Sequence, residues 1–281
     1  MVDSFSFWKR RILAGVAVGA FTALSGVAIA QETAKPPVTG TKPVTASAMT
    51  PAQAEAVKKQ KEHYNQMLED WPFLKRFHDE DAALPAPAPG EDRVVFMGDS
   101  ITQNWLRNGV EDNMPDPGFF PGKPYVNRGI SGQTTPQMLV RFRQDVVALK
   151  PKAVVIFAGT NDIAGNTGEI SADATENNIA SMADIAQANG IKVVLCSILP
   201  AFDFPWRRGR EPVPKILAIN AWLKGYAAEH GYVYVDFYSA MVDARGGLPP
   251  NLSKDGVHPV KAGYDIMNPL VEAGIAKAIG K

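Results

Sequence analysis

The stretch that decides the fold is Val-Val-Phe-Met-Gly-Asp-Ser-Ile-Thr, residues 94–102. A short apolar run here meets a glycine, an acid and a serine, a pattern that predicts a buried strand ending in a tight turn. Such a turn exposes the Ser100 hydroxyl at the edge of a sheet. If a helix follows, its first N–H groups point at any negative charge formed there. Gly-Asp-Ser alone also signals an ordinary turn, so Ser100 is a candidate nucleophile that needs partners elsewhere.

Downstream of this stretch, short apolar runs alternate with segments of helical period. The apolar runs predict strands at 94–97, 125–127, 153–158, 191–197 and 232–237. The helical segments are 135–149, 171–189, 215–230 and 260–279. This alternation is typical of a parallel sheet covered by helices on both faces, so the predicted fold class is α/β with a five-stranded parallel sheet. Ligands bind at the carboxyl ends of strands in such sheets.

Polar and glycine-rich segments follow the second and third predicted strands. Residues 127–132 read Asn-Arg-Gly-Ile-Ser-Gly, and the Gly129 N–H is a candidate donor to an oxyanion. Residues 159–162 read Gly-Thr-Asn-Asp, where the Asn161 amide is a candidate second donor to the same charge. The alternatives are a glycine turn and an Asx-turn, both common in loops.

The segment before the last predicted helix reads Asp-Gly-Val-His-Pro, residues 255–259. An acid three residues before a histidine lets one short loop present both side chains at one site. Asp255 can then hold the tautomer of the His258 imidazole while the other ring nitrogen takes a proton from a serine. A metal site is the alternative, but no histidine or cysteine cluster completes one, so no metal is expected.

These four segments together resemble the SGNH or GDSL hydrolase superfamily, whose blocks carry Ser, Gly, Asn and His in that order. The resemblance covers roughly residues 91–280, with Ile101 where the family name has leucine. It implies a three-layer, flavodoxin-like α/β/α fold and a catalytic triad of Ser100, His258 and Asp255. It also implies an oxyanion hole from the Ser100 and Gly129 N–H groups and the Asn161 side-chain amide, with no cofactor.

Composition excludes one class of partner and the N-terminus predicts export. The chain has 281 residues, 46% of them hydrophobic, with 29 basic and 29 acidic side chains, so no basic surface argues for nucleic acid.

Residues 1–30 combine basic residues, an apolar run and a closing Ala-Ile-Ala, the pattern of a signal peptide cleaved near Ala30. We therefore expect a periplasmic or extracellular protein without a stable membrane anchor; an uncleaved anchor is the alternative.

Three further regions follow the predicted signal peptide. Residues 31–51 read as a disordered linker, 52–90 as a helical arm with a Pro-rich linker, and 91–281 as the hydrolase domain. Apolar residues of the arm recur on one helical face, which we expect to pack on the main domain: Val57, Tyr64, Met67, Leu68 and Trp71. The single cysteine, Cys196, lies in an apolar run and is expected in the core.

The substrate is predicted less directly. The loop 200–210 leaves the end of the fourth strand, where Trp206 is a candidate to stack on a sugar and Arg207 to hold a polar group. Asp99 and Phe119 are further candidate substrate-binding residues, with core packing as the alternative for Phe119. The sequence shows no extra lid segment and no long apolar groove, which favours short acyl groups such as acetyl over long lipid chains. Family analogy favours an ester of a saccharide or other small molecule. The alternatives are a lysophospholipase, a thioesterase, an arylesterase or a non-catalytic carbohydrate-binding protein; the oligomeric state is not predicted.

Overall fold

The computed structural model describes residues 50–105 and 119–281. The predicted signal peptide and residues 31–49 of the predicted linker lie outside these ranges. Within them, no helix combines the length and apolar content needed to cross a bilayer. Residues 50–281 form one compact unit.

A five-stranded sheet organises this unit. The strands are β1 (Val94–Gly98), β2 (Tyr125–Gly129), β3 (Ala153–Phe157), β4 (Lys192–Cys196) and β5 (Val233–Val235). All neighbouring pairs are parallel, in the order β2-β1-β3-β4-β5. The chain steps to one side of β1 for β2 and to the other for β3, so the ends of β1 and β3 flank the crevice where ligands bind in open α/β sheets. The predicted α/β fold with a five-stranded parallel sheet is confirmed.

The bounds of the helices are α1 (Pro51–Glu69), α2 (His78–Ala83), α3 (Ser100–Gln103), α4 (Thr135–Asp145), α5 (Thr160–Ala164), α6 (Ala172–Ala188), α7 (Pro212–His230), α8 (Phe237–Met241) and α9 (Lys261–Ile279). Four long helices, α4, α6, α7 and α9, form where the segments of helical period predicted them, and shorter helices form beside them. Local chemistry sets several ends: the Ser171 hydroxyl accepts the Ala174 N–H at the start of α6, and Gly280 ends α9 in a left-handed conformation.

Side chains alternate between the two faces of β1 and enter two separate cores. Val95 and Met97 join a cluster with α4, α6 and α7, whereas Val94 and Phe96 join a second cluster with α9. Every residue of β1 and β3 is buried, because helices cover both faces of the sheet. Cys196 lies in the second core, as predicted, and is 1% exposed.

The N-terminal arm packs differently from the sequence prediction. Four of the five residues expected to pack are substantially exposed: Val57 (51%), Tyr64 (59%), Leu68 (86%) and Trp71 (38%). Met67, the fifth, packs against a small buried cluster of Phe73, Phe77 and Ile130. The chain turns after α1 because the Asp70 carboxylate accepts the N–H groups of Leu74 and Lys75. The residues after this turn, rather than the apolar face of α1, therefore cover Ile130.

Candidate active site

Ser100 lies where β1 meets α3. It is the first residue of the helix, and the Asp99 carboxylate caps this end by accepting the Ile101 N–H at 2.9 Å. Gly98 is required just before it, because an added Cβ would lie 2.1 Å from the Thr102 hydroxyl oxygen. The first N–H groups of a helix have no acceptor inside the helix, so the Ser100 N–H is available to an anion.

The structure brings the three predicted triad residues together. Ser100 Oγ lies 2.9 Å from His258 Nε2, and His258 Nδ1 lies 2.6 Å from Asp255 Oδ2. If Asp255 accepts the Nδ1–H, then Nε2 of the neutral imidazole is unprotonated and accepts the serine proton. The arrangement can therefore move a proton from a nucleophilic hydroxyl to a base.

Asp255 is itself held by its own loop. Its Oδ1 accepts hydrogen bonds from the backbone N–H groups of Val257 and His258, at 2.9 and 2.8 Å, and from the Ser253 hydroxyl at 3.0 Å. Burial raises the pKa of Asp255, but the hydrogen bonds from the His258 ring and from the two backbone groups outweigh it and lower the pKa to about 2. The carboxylate is therefore ionised at neutral pH and can accept the Nδ1–H of His258.

The prediction that the Gly129 N–H donates to an oxyanion is wrong. Its N–H already donates to Asn127 Oδ1 at 2.9 Å, and the residue is buried at the end of β2. An added Cβ would lie 2.2 Å from the Gln103 backbone nitrogen. Gly129 is thus explained by the close approach of α3 to β2, and its N–H is not free for a ligand.

Gly132, three residues later, is a second candidate donor, which the sequence reasoning missed. It adopts a positive φ of 79°, and its N–H has no hydrogen-bond acceptor within the described ranges. Asn166 Nδ2 donates both to the Gly132 carbonyl (3.2 Å) and to Asn161 Oδ1 (2.8 Å), which puts Gly132 beside Asn161. One sequence signal could have pointed to Gly132. It lies two residues before Thr-Thr-Pro, residues 134–136, a pattern that predicts the start of a helix.

Asn161 lies in α5, directly after β3, and is almost fully buried. Its Nδ2 donates to the Gln133 carbonyl at 3.0 Å and to Asp99 Oδ2 at 3.3 Å. Its Oδ1 faces Asn166, as described above, so the side-chain nitrogen is oriented toward the end of β1. The amide is therefore held in place from both sides.

Asp99 was predicted to bind substrate, and the structure corrects this. The side chain is 2% exposed and lies beneath the site, where it caps α3 and accepts from Asn161. Burial raises its pKa to about 6, although the Ile101 N–H and the charge of His258 act in the opposite direction. Asp99 therefore supports the site from below, almost without contact with solvent.

A family comparison agrees with this geometry. Residues 96–266, more than half of the chain, match the model of the GDSL-like lipase/acylhydrolase family. The chain belongs to this family. The GDSL-like acylhydrolase is a carboxylic ester hydrolase, and the resemblance seen in the sequence is confirmed.

Individual relatives of this GDSL-like acylhydrolase are esterases and lipases. It is 30% identical over 174 residues to the esterase TesA of Pseudomonas aeruginosa, covering 62% of this chain and 78% of the relative. It is 25% identical over 224 residues to an acetylxylan esterase of Xylanibacter ruminicola, covering 69% of this chain but 45% of that protein. The crystal structure of a GDSL-like lipase from Bacteroides thetaiotaomicron superposes with a TM-score of 0.70, at 48% identity, over 74% of this chain and 100% of that one.

The loop after β4 of the GDSL-like acylhydrolase reaches the site. The Trp206 ring is 40% exposed, and its centroid lies 5.8 Å from that of the His258 ring. Trp206 Nε1 donates to Asn166 Oδ1 at 2.9 Å, so the ring is fixed relative to the amide that supports Asn161. Arg207 lies in the same exposed loop, at the edge of a neighbouring cleft.

Phe119, the remaining substrate-binding candidate, is part of the core of the GDSL-like acylhydrolase. Its ring packs edge-on against Phe96 and Phe120, with both centroid separations at 4.9 Å. The half-buried ring packs against the second core cluster, which favours the packing alternative over substrate binding. Within residues 50–105 and 119–281, no group of three or more His, Cys, Asp or Glu side chains could hold a metal ion.

Proposed function

We propose that this esterase hydrolyses short acyl esters, acetyl esters of carbohydrates above all, through a covalent intermediate on Ser100. The observation that carries the proposal is the continuous contact from Ser100 Oγ to His258 (2.9 Å) and from His258 to Asp255 (2.6 Å). A serine hydroxyl is a weak nucleophile unless a positioned base removes its proton, and this contact supplies one.

The proposed reaction has two halves. Ser100 Oγ attacks the ester carbonyl carbon while His258 Nε2 takes the hydroxyl proton, giving a tetrahedral oxyanion. His258 then returns the proton to the alcohol oxygen as the C–O bond breaks, which leaves an acyl-serine. Water, deprotonated by His258, attacks this acyl group and releases the acid and the free serine. Asp255, ionised with a pKa of about 2, stabilises the imidazolium in both halves.

The proposed oxyanion hole uses three donors. They are the Ser100 N–H at the start of α3, the Gly132 N–H, which is unpaired within the described part of the chain, and the Asn161 side-chain amide, which would exchange its long 3.3 Å contact with Asp99 Oδ2 for the oxyanion. All three belong to the edge where β1, β2 and β3 end, and the Asn166 contacts hold two of them together. Removal of one such donor in Asn161→Ala is expected to lower kcat by about 10²–10³.

The carbohydrate part of the proposal is supported by the acetylxylan esterase relative and by the exposed Trp206 ring beside His258. Exposed aromatic faces suit the C–H surfaces of sugar rings. The test is a series of 4-nitrophenyl esters from acetate to dodecanoate together with an O-acetylated xylo-oligosaccharide. Acetate is expected to give the highest kcat/KM in the series. An octanoate or longer ester that outpaces acetate would overturn the acetyl assignment in favour of a lipase-like or lysophospholipase activity.

The nucleophile has a separate test. A fluorophosphonate probe is expected to label the wild-type protein on Ser100, and Ser100→Ala should be neither labelled nor active. Ser181→Ala is the matched control, because Ser181 is a partly exposed serine on α6 whose hydroxyl donates to the Asn177 carbonyl of its own helix. Full activity of purified Ser100→Ala would reject the mechanism.

A further inference from the structure

A cleft of about 550 Å³ lies between the N-terminal helix α1 and the loops that carry the site. Gln60, Tyr64 and Met67 of α1 line one side. Gly132 and Trp206 belong to the opposite lining. The volume falls within the usual range for small-molecule sites. Helix α1 precedes residues 96–266, the region that matches the family model.

We infer that α1 forms the outer wall of the substrate cleft and that Tyr64 and Gln60 contact the alcohol part of the ester, a carbohydrate ring. The inference rests on the proposed function and extends it to a specificity-determining surface. It concerns the alcohol side of the ester, not the acyl side.

The position of His258 decides which part of the substrate enters the cleft. In the proposed mechanism, His258 Nε2 gives its proton to the leaving alcohol, so that alcohol must lie beside the imidazole. Trp206 contacts the His258 ring and also lines the cleft. The path from the reacting bond past Trp206 therefore leads the alcohol group toward α1.

The chemistry of the lining fits a sugar better than an alkyl chain. Tyr64 and Trp206 expose 59% and 40% of their surface and offer aromatic faces. Beside them lie a carboxamide and a cation, those of Gln60 and Arg207. A pyranose ring can pack its C–H face on the aromatic rings and pair its hydroxyl groups with these polar groups. An alkyl chain would cover the same polar groups without hydrogen-bonding them, which costs free energy.

The wall is anchored where α1 ends. Gln137 Nε2 donates to the Trp71 carbonyl at 2.7 Å, and Gln133 Nε2 donates to the Pro72 carbonyl at 2.9 Å. Beyond the turn, Arg128 Nε donates to Asp81 Oδ1 at 2.8 Å, which ties α2 to β2. These contacts fix the end of α1 to the segment that carries Gly132, so α1 can serve as a binding wall.

The test compares two esters of the same acid that differ in the alcohol. The variant is Tyr64→Ala, and Leu68→Ala is the matched control because Leu68 is on the same helix, 86% exposed and outside the cleft lining. The substrates are an O-acetylated xylo-oligosaccharide and ethyl acetate, both followed by acid release in a pH-stat. Ethyl acetate has an alcohol too small to reach α1.

We expect Tyr64→Ala to lower kcat/KM for the sugar ester about tenfold, mainly because KM rises. A tenfold change corresponds to the loss of about 1.4 kcal/mol of binding free energy. Ethyl acetate turnover by the same variant, and both activities of Leu68→Ala, should match the wild type. An equal effect on both esters, or none on the sugar ester, would overturn the inference. Hydrolysis of both esters that survives in Ser100→Ala would instead overturn the proposed function, so the two failures are distinguishable.

Discussion

Replacing Asp99 with asparagine is expected to change how the free energy of unfolding depends on pH. The carboxylate is buried between β1 and the Asn161 amide, and an asparagine side chain in its place would keep an Oδ1 acceptor for the Ile101 N–H at the start of α3. The substitution therefore removes the ionisable group while it preserves the cap. The new amide nitrogen takes the place of the oxygen that accepts from Asn161 Nδ2, so two donors face each other. This lowers the free energy of unfolding by an amount that does not depend on pH.

The magnitude follows from the pKa. Burial raises the pKa of Asp99 from 3.8 to about 6 in the folded protein. Between these two pH values, the folded protein keeps the proton on Asp99, whereas the unfolded chain has already released it. The free energy of unfolding therefore falls as the pH rises through this window. At about 1.36 kcal/mol per unit of pKa, the wild type loses about 3 kcal/mol between roughly pH 3.5 and pH 7 through this group.

The measurement is urea unfolding of both proteins at half-unit steps from about pH 3.5 to pH 8, a range that spans both pKa values of the group. Other ionisable groups, His258 and Asp162 among those that act on Asp99, are present in both proteins. The difference between the two free energies of unfolding therefore isolates residue 99. It should shift by about 3 kcal/mol in favour of the asparagine variant as the pH rises. Parallel curves, or a shift in favour of the wild type, would refute the argument.

Three other substitutions test the supports of the site. Asp255→Asn should lower kcat for 4-nitrophenyl acetate by about 10⁴ through the wrong His258 tautomer; a fall below about tenfold would contradict the proposed role of the carboxylate. Asn166→Ala removes the donor to Asn161 Oδ1, so kcat should fall about tenfold and the free energy of unfolding by about 1–3 kcal/mol, and unchanged kcat would show that this amide needs no support. The fully buried side chains of Arg141 and Asp145 form an ion pair at 2.9 Å. Arg141→Met leaves the Asp145 carboxylate without its cation and should lower the free energy of unfolding, measured in urea, by about 3–5 kcal/mol. A more stable variant would show that this ion pair does not stabilise the fold.

Local pattern was enough to predict the sheet and most of the chemistry-bearing residues. Apolar runs bounded by glycine and polar residues place strands, because a strand buried on both faces needs apolar side chains in succession. Parallel strands then bring their carboxyl ends to one edge. The positions of Ser100 and Asn161 could be read in this way, whereas His258 was predicted from its spacing to Asp255 in the loop before the last helix.

Other features depended on contacts that no local pattern encodes. The apolar face of α1 predicted packing, but the turn at Asp70 directs Phe73 and Phe77 to Ile130 instead. Gly129 and Gly132 look alike in sequence. The Asn127 side chain, which occupies the Gly129 N–H, and the positive φ of Gly132 distinguish them in the folded protein.

The amino-acid sequence alone determined the α/β fold class, the family and the residue types that meet at the sheet edge. It could do so because backbone periodicity and turn chemistry act over a few residues. The tertiary structure decided which N–H groups are free, which carboxylates are buried and which helix lines the cleft beside the site. Those properties arise between segments far apart in the chain, as between Ser100 and His258, where a change of about 1 Å decides whether a proton can move.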